Sequence, residues 1–259
     1  MATIFYFTGT GNSLYIAKQL AEQLDAKLES IVSYMNGKRQ IEDDLIGIVV
    51  PIHCMDIPKI VNSFLKDAKF PKKSYIFGVV TCGAIDGNAL HHMKEILAEK
   101  EIELSYGTTM YLPDNSIVFP TDSEKKAQMY KDQPSQIENI CSKVKQRFVN
   151  GHTLDKTLQH TIMSKCLTIG LKSIYRIKWK TVSKSKCIQC GLCEKVCPSS
   201  AIQKENDTYK IANDCENCFA CAHWCPARAI SLGKLTPDDK THYTHPQVTV
   251  HDIIMQKKK

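Results

Sequence analysis

No stretch of this 259-residue chain reaches the roughly 18 consecutive apolar residues that a membrane helix needs. The most apolar late window, 161–179, is broken by Lys165, Lys172, Arg176 and Lys178. No basic residue precedes Lys18 and no small-residue cleavage pattern follows the first apolar run, so the opening does not read as a secretory signal. A cytoplasmic location is the expectation, without a transmembrane segment. The glycine-containing loop at 8–13 lacks the lysine of a G-x-x-x-x-G-K-[ST] loop. From Gly9 the chain reads G-T-G-N-S-L, which also excludes the G-x-G-x-x-G dinucleotide fingerprint. No Ser-His-Asp signature and no paired catalytic carboxylates are evident, so no catalytic residue is assigned. No nucleic-acid partner is expected.

What is present is ordinary in bulk and unusual in arrangement. Hydrophobic residues make up 43% and charged residues 24%, which suits a chain that buries a sizeable core. The spacing predicts strands over 3–7, 27–31, 44–50, 74–81 and 105–112. Helices are predicted over 12–24, 57–66, 88–99 and 124–148, the last interrupted at Pro134. Leu45 to Val50 and Tyr75 to Val80 are nearly continuous apolar runs, as in parallel strands covered on both faces. The βαβ alternation gives an α/β doubly wound parallel five-stranded sheet. Ligands of such sheets sit beyond the carboxyl ends of the strands, here the loops at 8–13, 51–57, 81–87 and 113–117.

Twelve cysteines in a reducing compartment argue for metal or redox chemistry rather than disulfides. Eight of them form a repeat. Cys187, Cys190, Cys193, Cys197 and Pro198 recur 28 residues later as Cys215, Cys218, Cys221, Cys225 and Pro226. Each copy reads C-x2-C-x2-C-x3-C-P, the spacing of iron–sulfur cluster ligands. Zinc is the competing reading, but structural zinc sites draw on spaced cysteine or histidine pairs rather than three ligands in one loop. Residues 180–232 resemble bacterial-type ferredoxins with two 4Fe-4S clusters. The resemblance implies crossed ligation: Cys187, Cys190, Cys193 and Cys225 hold one cluster, and Cys215, Cys218, Cys221 and Cys197 the other. Cys141 and Cys166 are expected to be buried and structural. Cys54 and Cys82 fall in strand-end loops, where they could touch a cofactor.

The opening loop offers the hydroxyls of Thr8, Thr10 and Ser13, the Asn12 amide, and the backbone of Gly9 and Gly11 at a helix N-terminus. Neutral donors and a helix dipole suit a phosphate monoester. T-G-T-G-N-S after a first strand resembles the flavin mononucleotide (FMN) phosphate loop of flavodoxins. That resemblance implies two walls for the isoalloxazine ring. One is carried by Pro51, Ile52 and His53, the other by Thr81, Cys82, Gly83, Gly87 and Asn88. The bland reading of His53 is a packing residue. Leu112-Pro113-Asp114-Asn115-Ser116 is similar to a Met-Pro-x-Asn segment of proteins that fuse a flavodoxin-like domain to a two-cluster ferredoxin. The implied organisation is a flavodoxin-like FMN-binding domain at 1–150, a basic connecting arm at 151–182, a small α+β ferredoxin domain at 183–235, and a tail at 236–259.

Between Lys156 and Lys186 there are eight Lys or Arg and no Asp or Glu. This reads either as a solvated face or as a docking site for an acidic partner or a membrane surface. Leu158, Ile162, Cys166, Ile169 and Leu171 suggest that part of it packs on the protein. The formal charge of +7 would fall to about +1 with two clusters and an FMN phosphate bound. The expected function is electron transfer between FMN and two [4Fe-4S] clusters and on to redox partner proteins. The alternative is an iron–sulfur flavoenzyme reducing a small molecule, with His53 or Asp86 as proton donor.

Overall fold

The computed structural model describes residues 1–37, 40–154, 158–173 and 180–258. Five parallel strands form the main sheet: β1 (Ala2–Tyr6), β2 (Lys27–Ser30), β3 (Leu45–Pro51), β4 (Tyr75–Cys82) and β5 (Leu104–Tyr111), in the order β2-β1-β3-β4-β5. That is the flavodoxin-like order, with its switch point between β1 and β3. β3 and β4 are buried along almost their whole length, as their unbroken apolar runs require. The covering helices are α1 (Asn12–Gln23), α2 (Ile31–Gly37), α3 (Lys59–Asp67), α4 (Ala89–Ala98) and α5 (Ser123–Lys145). α2 was not expected; it is a short turn of helix nucleated where Ser30 Oγ accepts the Val32 N–H.

α5 runs through Pro134 without a break, contrary to the expected interruption. The proline removes one backbone bond. The buried face of Met129, Gln133, Ile137, Ile140, Cys141 and Val144 holds both halves against the sheet, so packing outweighs the local cost of about 3 kcal/mol.

α6 (Leu158–Ser173) follows; Lys156, Arg176 and Lys178 of the basic arm lie outside the described residues. Its apolar row is turned outward. Leu158, Ile162 and Ile169 are exposed, and so is Cys166, which corrects the expectation that this cysteine is buried. The packed face is polar instead: Ser164 Oγ donates to the Cys54 carbonyl, and Asn88 Nδ2 donates to Thr161 Oγ1.

The cysteine repeat is also a structural repeat. β6 (Lys180–Val182), α7 (Leu192–Lys195) and β7 (Ile202–Glu205) recur as β8 (Thr208–Ile211), α8 (Ala220–His223) and β9 (Ile230–Leu232). β6 pairs antiparallel with β9, and β7 with β8, so strands of both copies are shared. Left-handed residues recur at matching places, Gln189 with Asn217, Gly191 with Phe219, and Ser200 with Arg228. A last helix, α9 (Val250–Met255), opens with a Thr249–Asp252 capping box.

The main core does not stop at the sheet. The cluster that contains Ile4, Phe5, Phe7, Ile48 and Val80 continues through Val196, Cys218, Ala220, Val248 and Ile253. The second cysteine unit and α9 are therefore packed onto the flavodoxin-like layer.

Candidate functional site

Two small cavities lie in the cysteine repeat. The first is lined by Cys197, Cys215, Cys218 and Cys221. The second is lined by Cys187, Cys190, Cys193 and Cys225. Each cavity is lined by three cysteines of one copy and the fourth of the other. Cys197, Cys218 and Cys221 are buried, whereas Cys190 is exposed and Cys187, Cys193 and Cys225 are half-buried. Burial pushes the Cys218 and Cys221 thiols well up, and the neighbouring thiols of the same cavity push them further. Cys193 is pushed up to about 11 by burial, with Cys225, Cys187 and Cys190 adding to it. Thiols held this way are poor nucleophiles. A positively charged iron–sulfur core supplies the charge that thiolates in such surroundings need. Among the described residues, no His, Cys, Asp or Glu group is gathered for a single metal ion.

The loop after β1 is buried. Thr8, Thr10 and Ser13 are at most 3% exposed. Thr8 Oγ1 accepts the Gly11 N–H at 3.0 Å, and Thr10 Oγ1 accepts Asn115 Nδ2 at 3.2 Å. Both hydroxyl protons are thereby left to donate elsewhere. Ser13 Oγ pairs with Thr81 Oγ1 at 2.9 Å, which ties this loop to the end of β4. α1 starts at Asn12 without a side-chain cap and without an acidic residue in its first turn. A buried helix start with no cap calls for an acceptor, and a phosphate fits that donor set. Gly11 holds the turn with φ +107.

The expected ring walls lie beside this loop. The Ile52 N–H donates to the Thr81 carbonyl, so Pro51, Ile52 and Thr81 are adjacent across β3 and β4. His53 and Asp56 close a tight turn through Cys54 and Met55, both left-handed at φ 52 and φ 67. Two successive non-glycine residues in that region store strain, a mark of functional turns. The Asn88 N–H donates to the Met55 carbonyl, and a Cβ on Gly87 would lie 2.1 Å from that oxygen. The two walls thus meet directly at Met55. His53 is half-buried and edge-on to Phe7; burial pushes it down to about 4, so the ring is neutral. Cys82 is pushed up to about 12 by burial and then by Asp86 and Asp114. Its thiol is inert, and Gly83 packs against Asp114.

The cysteine repeat touches the glycine loop. A Cβ on Gly9 would sit 2.3 Å from the Cys218 carbonyl oxygen. Trp224 Nε1 donates to the Gly9 carbonyl at 3.1 Å. His223 Nε2 donates to the Asn115 carbonyl while its Nδ1 accepts the Tyr243 N–H, which fixes a neutral tautomer; burial pushes its pKa down to about 4. Glu216 accepts the Ile60 N–H beside the 51–58 loop. Sequence reasoning missed Trp224, His223, Tyr243, His245 and Gln256 as neighbours of the glycine loop. No local spacing marks them, whereas the likeness around Asn115 points to that residue.

A doubly wound sheet with a buried glycine loop, joined to paired cysteine-lined cavities, defines an iron–sulfur flavoprotein of electron transfer. A flavodoxin domain family matches residues 3–108, and a 4Fe-4S binding domain family matches residues 180–203. The chain belongs to the flavodoxin–ferredoxin fusions. It is 39% identical over 59 residues to the pyruvate synthase subunit PorD of Methanocaldococcus jannaschii, over 20% of this chain and 69% of that protein. An uncharacterized ferredoxin of the same organism is 40% identical over 65 residues, 23% of this chain and 83% of its own. Among solved structures, an FMN-dependent NADH-azoreductase from Bacillus anthracis is 10% identical, with a TM-score of 0.37, covering 56% of this chain and 99% of its own. A flavodoxin from Streptococcus pneumonia TIGR4 is 14% identical, with a TM-score of 0.31, covering 50% and 92%.

Proposed function

We propose that this protein passes electrons between FMN and two [4Fe-4S] clusters and on to redox partner proteins. The observation that carries this reading is the contact between Gly9 and Cys218, which joins the glycine loop to the buried cysteine loop with no room for a side chain. In this reading Cys187, Cys190, Cys193 and Cys225 hold an outer cluster. Cys215, Cys218, Cys221 and Cys197 hold an inner one. Thr8, Gly9, Thr10, Gly11, Asn12 and Ser13 hold the FMN phosphate, and the loops around Pro51–His53 and Thr81–Asn88 face the ring. FMN supplies one- or two-electron exchange and each cluster one. The chain supplies placement: the inner loop is buried against the flavin-binding layer, and the outer loop is exposed at Cys190 and Ile188.

Partner docking is assigned to the basic arm and the outward row of α6, where Lys180, Lys184 and Lys186 lead into the outer cysteine loop. An acidic redox protein is the partner that this charge suits, in a contact weakened by salt. The likeness to PorD, a subunit of a pyruvate synthase, supports a ferredoxin unit that serves a protein partner. The flavoenzyme alternative rests on His53 or Asp86 as proton donor; a His53 held neutral by burial leaves it Asp86, which accepts the Thr109 hydroxyl. Among the described residues no helix is long and apolar enough to cross a membrane.

Anaerobically purified protein should contain about eight iron, about eight acid-labile sulfide and one FMN per chain. With titrated potentials known to permit transfer, rapid photoreduction of the flavin should be followed by cluster reduction at a rate independent of protein concentration. Transfer that occurs only by collision between molecules would overturn the reading. Saturable oxidation of the flavin by a small organic acceptor, without a partner protein, would establish the flavoenzyme instead.

A further inference from the structure

Residues 243–256 carry no recognisable motif and are more than 200 positions from the glycine loop, yet they close over it. Tyr243 Oη donates to Asn12 Oδ1 at 2.6 Å. The His245 N–H donates to the Thr10 carbonyl at 2.9 Å. Gly11 lies under His245 and Val248, whose Cβ atoms would be 3.0 Å from a Cβ placed there. Gln256 is fully buried and pairs with the Thr8 backbone twice: its Oε1 accepts the Thr8 N–H at 3.0 Å, and its Nε2 donates to the Thr8 carbonyl at 3.1 Å. α9 is held against α1 by Lys18 and Asp252 at 2.6 Å.

Thr8 follows directly on the last sheet bond of β1, from the Phe7 N–H to the Val49 carbonyl. Gln256 then satisfies the next residue's N–H and C=O as a neighbouring strand would. This matters because the loop must present its donors in fixed positions. Two glycines and three hydroxyl residues in six positions have little intrinsic order, and fixing each costs conformational entropy. Contacts that hold the loop beforehand remove that cost from binding.

We propose that residues 243–256 form a clasp that pre-orders the phosphate loop, with Gln256 and Tyr243 as positioning residues for the phosphate end of the flavin. The inference rests on the flavin reading above. Among the described residues, the bonds of the clasp to the site fall on Thr8, Thr10 and Asn12 rather than on the two ring-facing loops. It therefore acts on the phosphate and not on the ring, and its loss should narrow the preference for FMN over riboflavin.

The test is anaerobic dilution of holoprotein reconstituted with FMN or with riboflavin, reading free flavin by fluorescence and checking cluster content by iron and visible absorbance. Gln256→Ala should weaken FMN about tenfold, the worth of about one net buried hydrogen bond, and leave riboflavin unchanged. Tyr243→Phe keeps the ring, removes only the hydroxyl, and should weaken FMN by about fivefold; it decides the matter if Gln256→Ala loses its iron. FMN and riboflavin weakened equally, or FMN held unchanged by a variant that binds wild-type iron, would overturn the clasp alone. A wild-type protein that takes up neither flavin would overturn the flavin reading and the clasp with it.

Discussion

Cys190 is exposed and Cys218 is buried, although the 28-residue repeat puts them at the same point of the same loop. The two copies share strand pairing, a short helix and the same left-handed turns. They differ in what surrounds them. Around the first copy Ile188 is 65% exposed. Around the second, Ala220, Ala222 and His223 are at most 1% exposed, with the glycine loop pressed against the Cys218 carbonyl. Gly191 takes the left-handed turn at the exposed copy, and Phe219 takes it at the buried one. The comparison teaches that packing against the glycine loop gives two copies of one unit very different exposures.

Removing one fourth cysteine at a time should break that comparison most severely. Because Cys197 lines the inner cavity, Cys197→Ser should empty it first, leaving about half of the iron. Cys225→Ser should instead strip the outer cavity. Iron analysis with EPR of the reduced protein separates the two outcomes. The assignment fails if Cys197→Ser disturbs the outer signal and spares the inner one.

Glycine replacements sharpen the contrast at the next level. Gly9→Ala forces a methyl group onto the Cys218 carbonyl and should cost about 2–3 kcal/mol by denaturant unfolding, with weaker flavin binding. Gly191→Ala meets nothing closer than Tyr209 Oη at 3.4 Å, and only its φ of +71 resists it. About 1 kcal/mol is expected there, with flavin affinity untouched. Equal costs at both sites would mean that the inner loop is no tighter than the outer one.

Acid should loosen the packing around His223. His223 bonds through both ring nitrogens while neutral, and its folded pKa of about 4 lies below the ordinary 6.5. The unfolded chain therefore takes up the proton first. Stability supplied by this residue is complete above about pH 6.5 and is lost as the pH falls toward 4, about 2 kcal/mol of it by pH 5. Denaturant unfolding of wild type against His223→Asn between pH 8 and 5 should show a shallower pH slope in the variant. Parallel slopes would remove His223 from the account.

Much of this architecture was legible beforehand because it is written locally. The apolar runs at 45–50 and 75–80 announce two-face burial, and the cysteine spacing groups eight thiols into two sets. Errors arose where packing overrides local preference. Pro134 should have ended a helix, but the buried face from Met129 to Val144 carries it through. Cys166 sits in an apolar row that faces outward. The contacts on the glycine loop were illegible for a different reason. Trp224, Tyr243 and Gln256 are ordinary residues whose role comes only from where distant segments meet.

The pairing of Gln256 with Thr8 spans 248 positions of chain. During synthesis at about 5–20 residues per second, Thr8 waits roughly 12–50 s before its partner exists. The sheet strands up to β5 can assemble in that interval, before Gln256 is there to pair with Thr8. The contact that orders Thr8 therefore forms only after β1 to β5 have all been made.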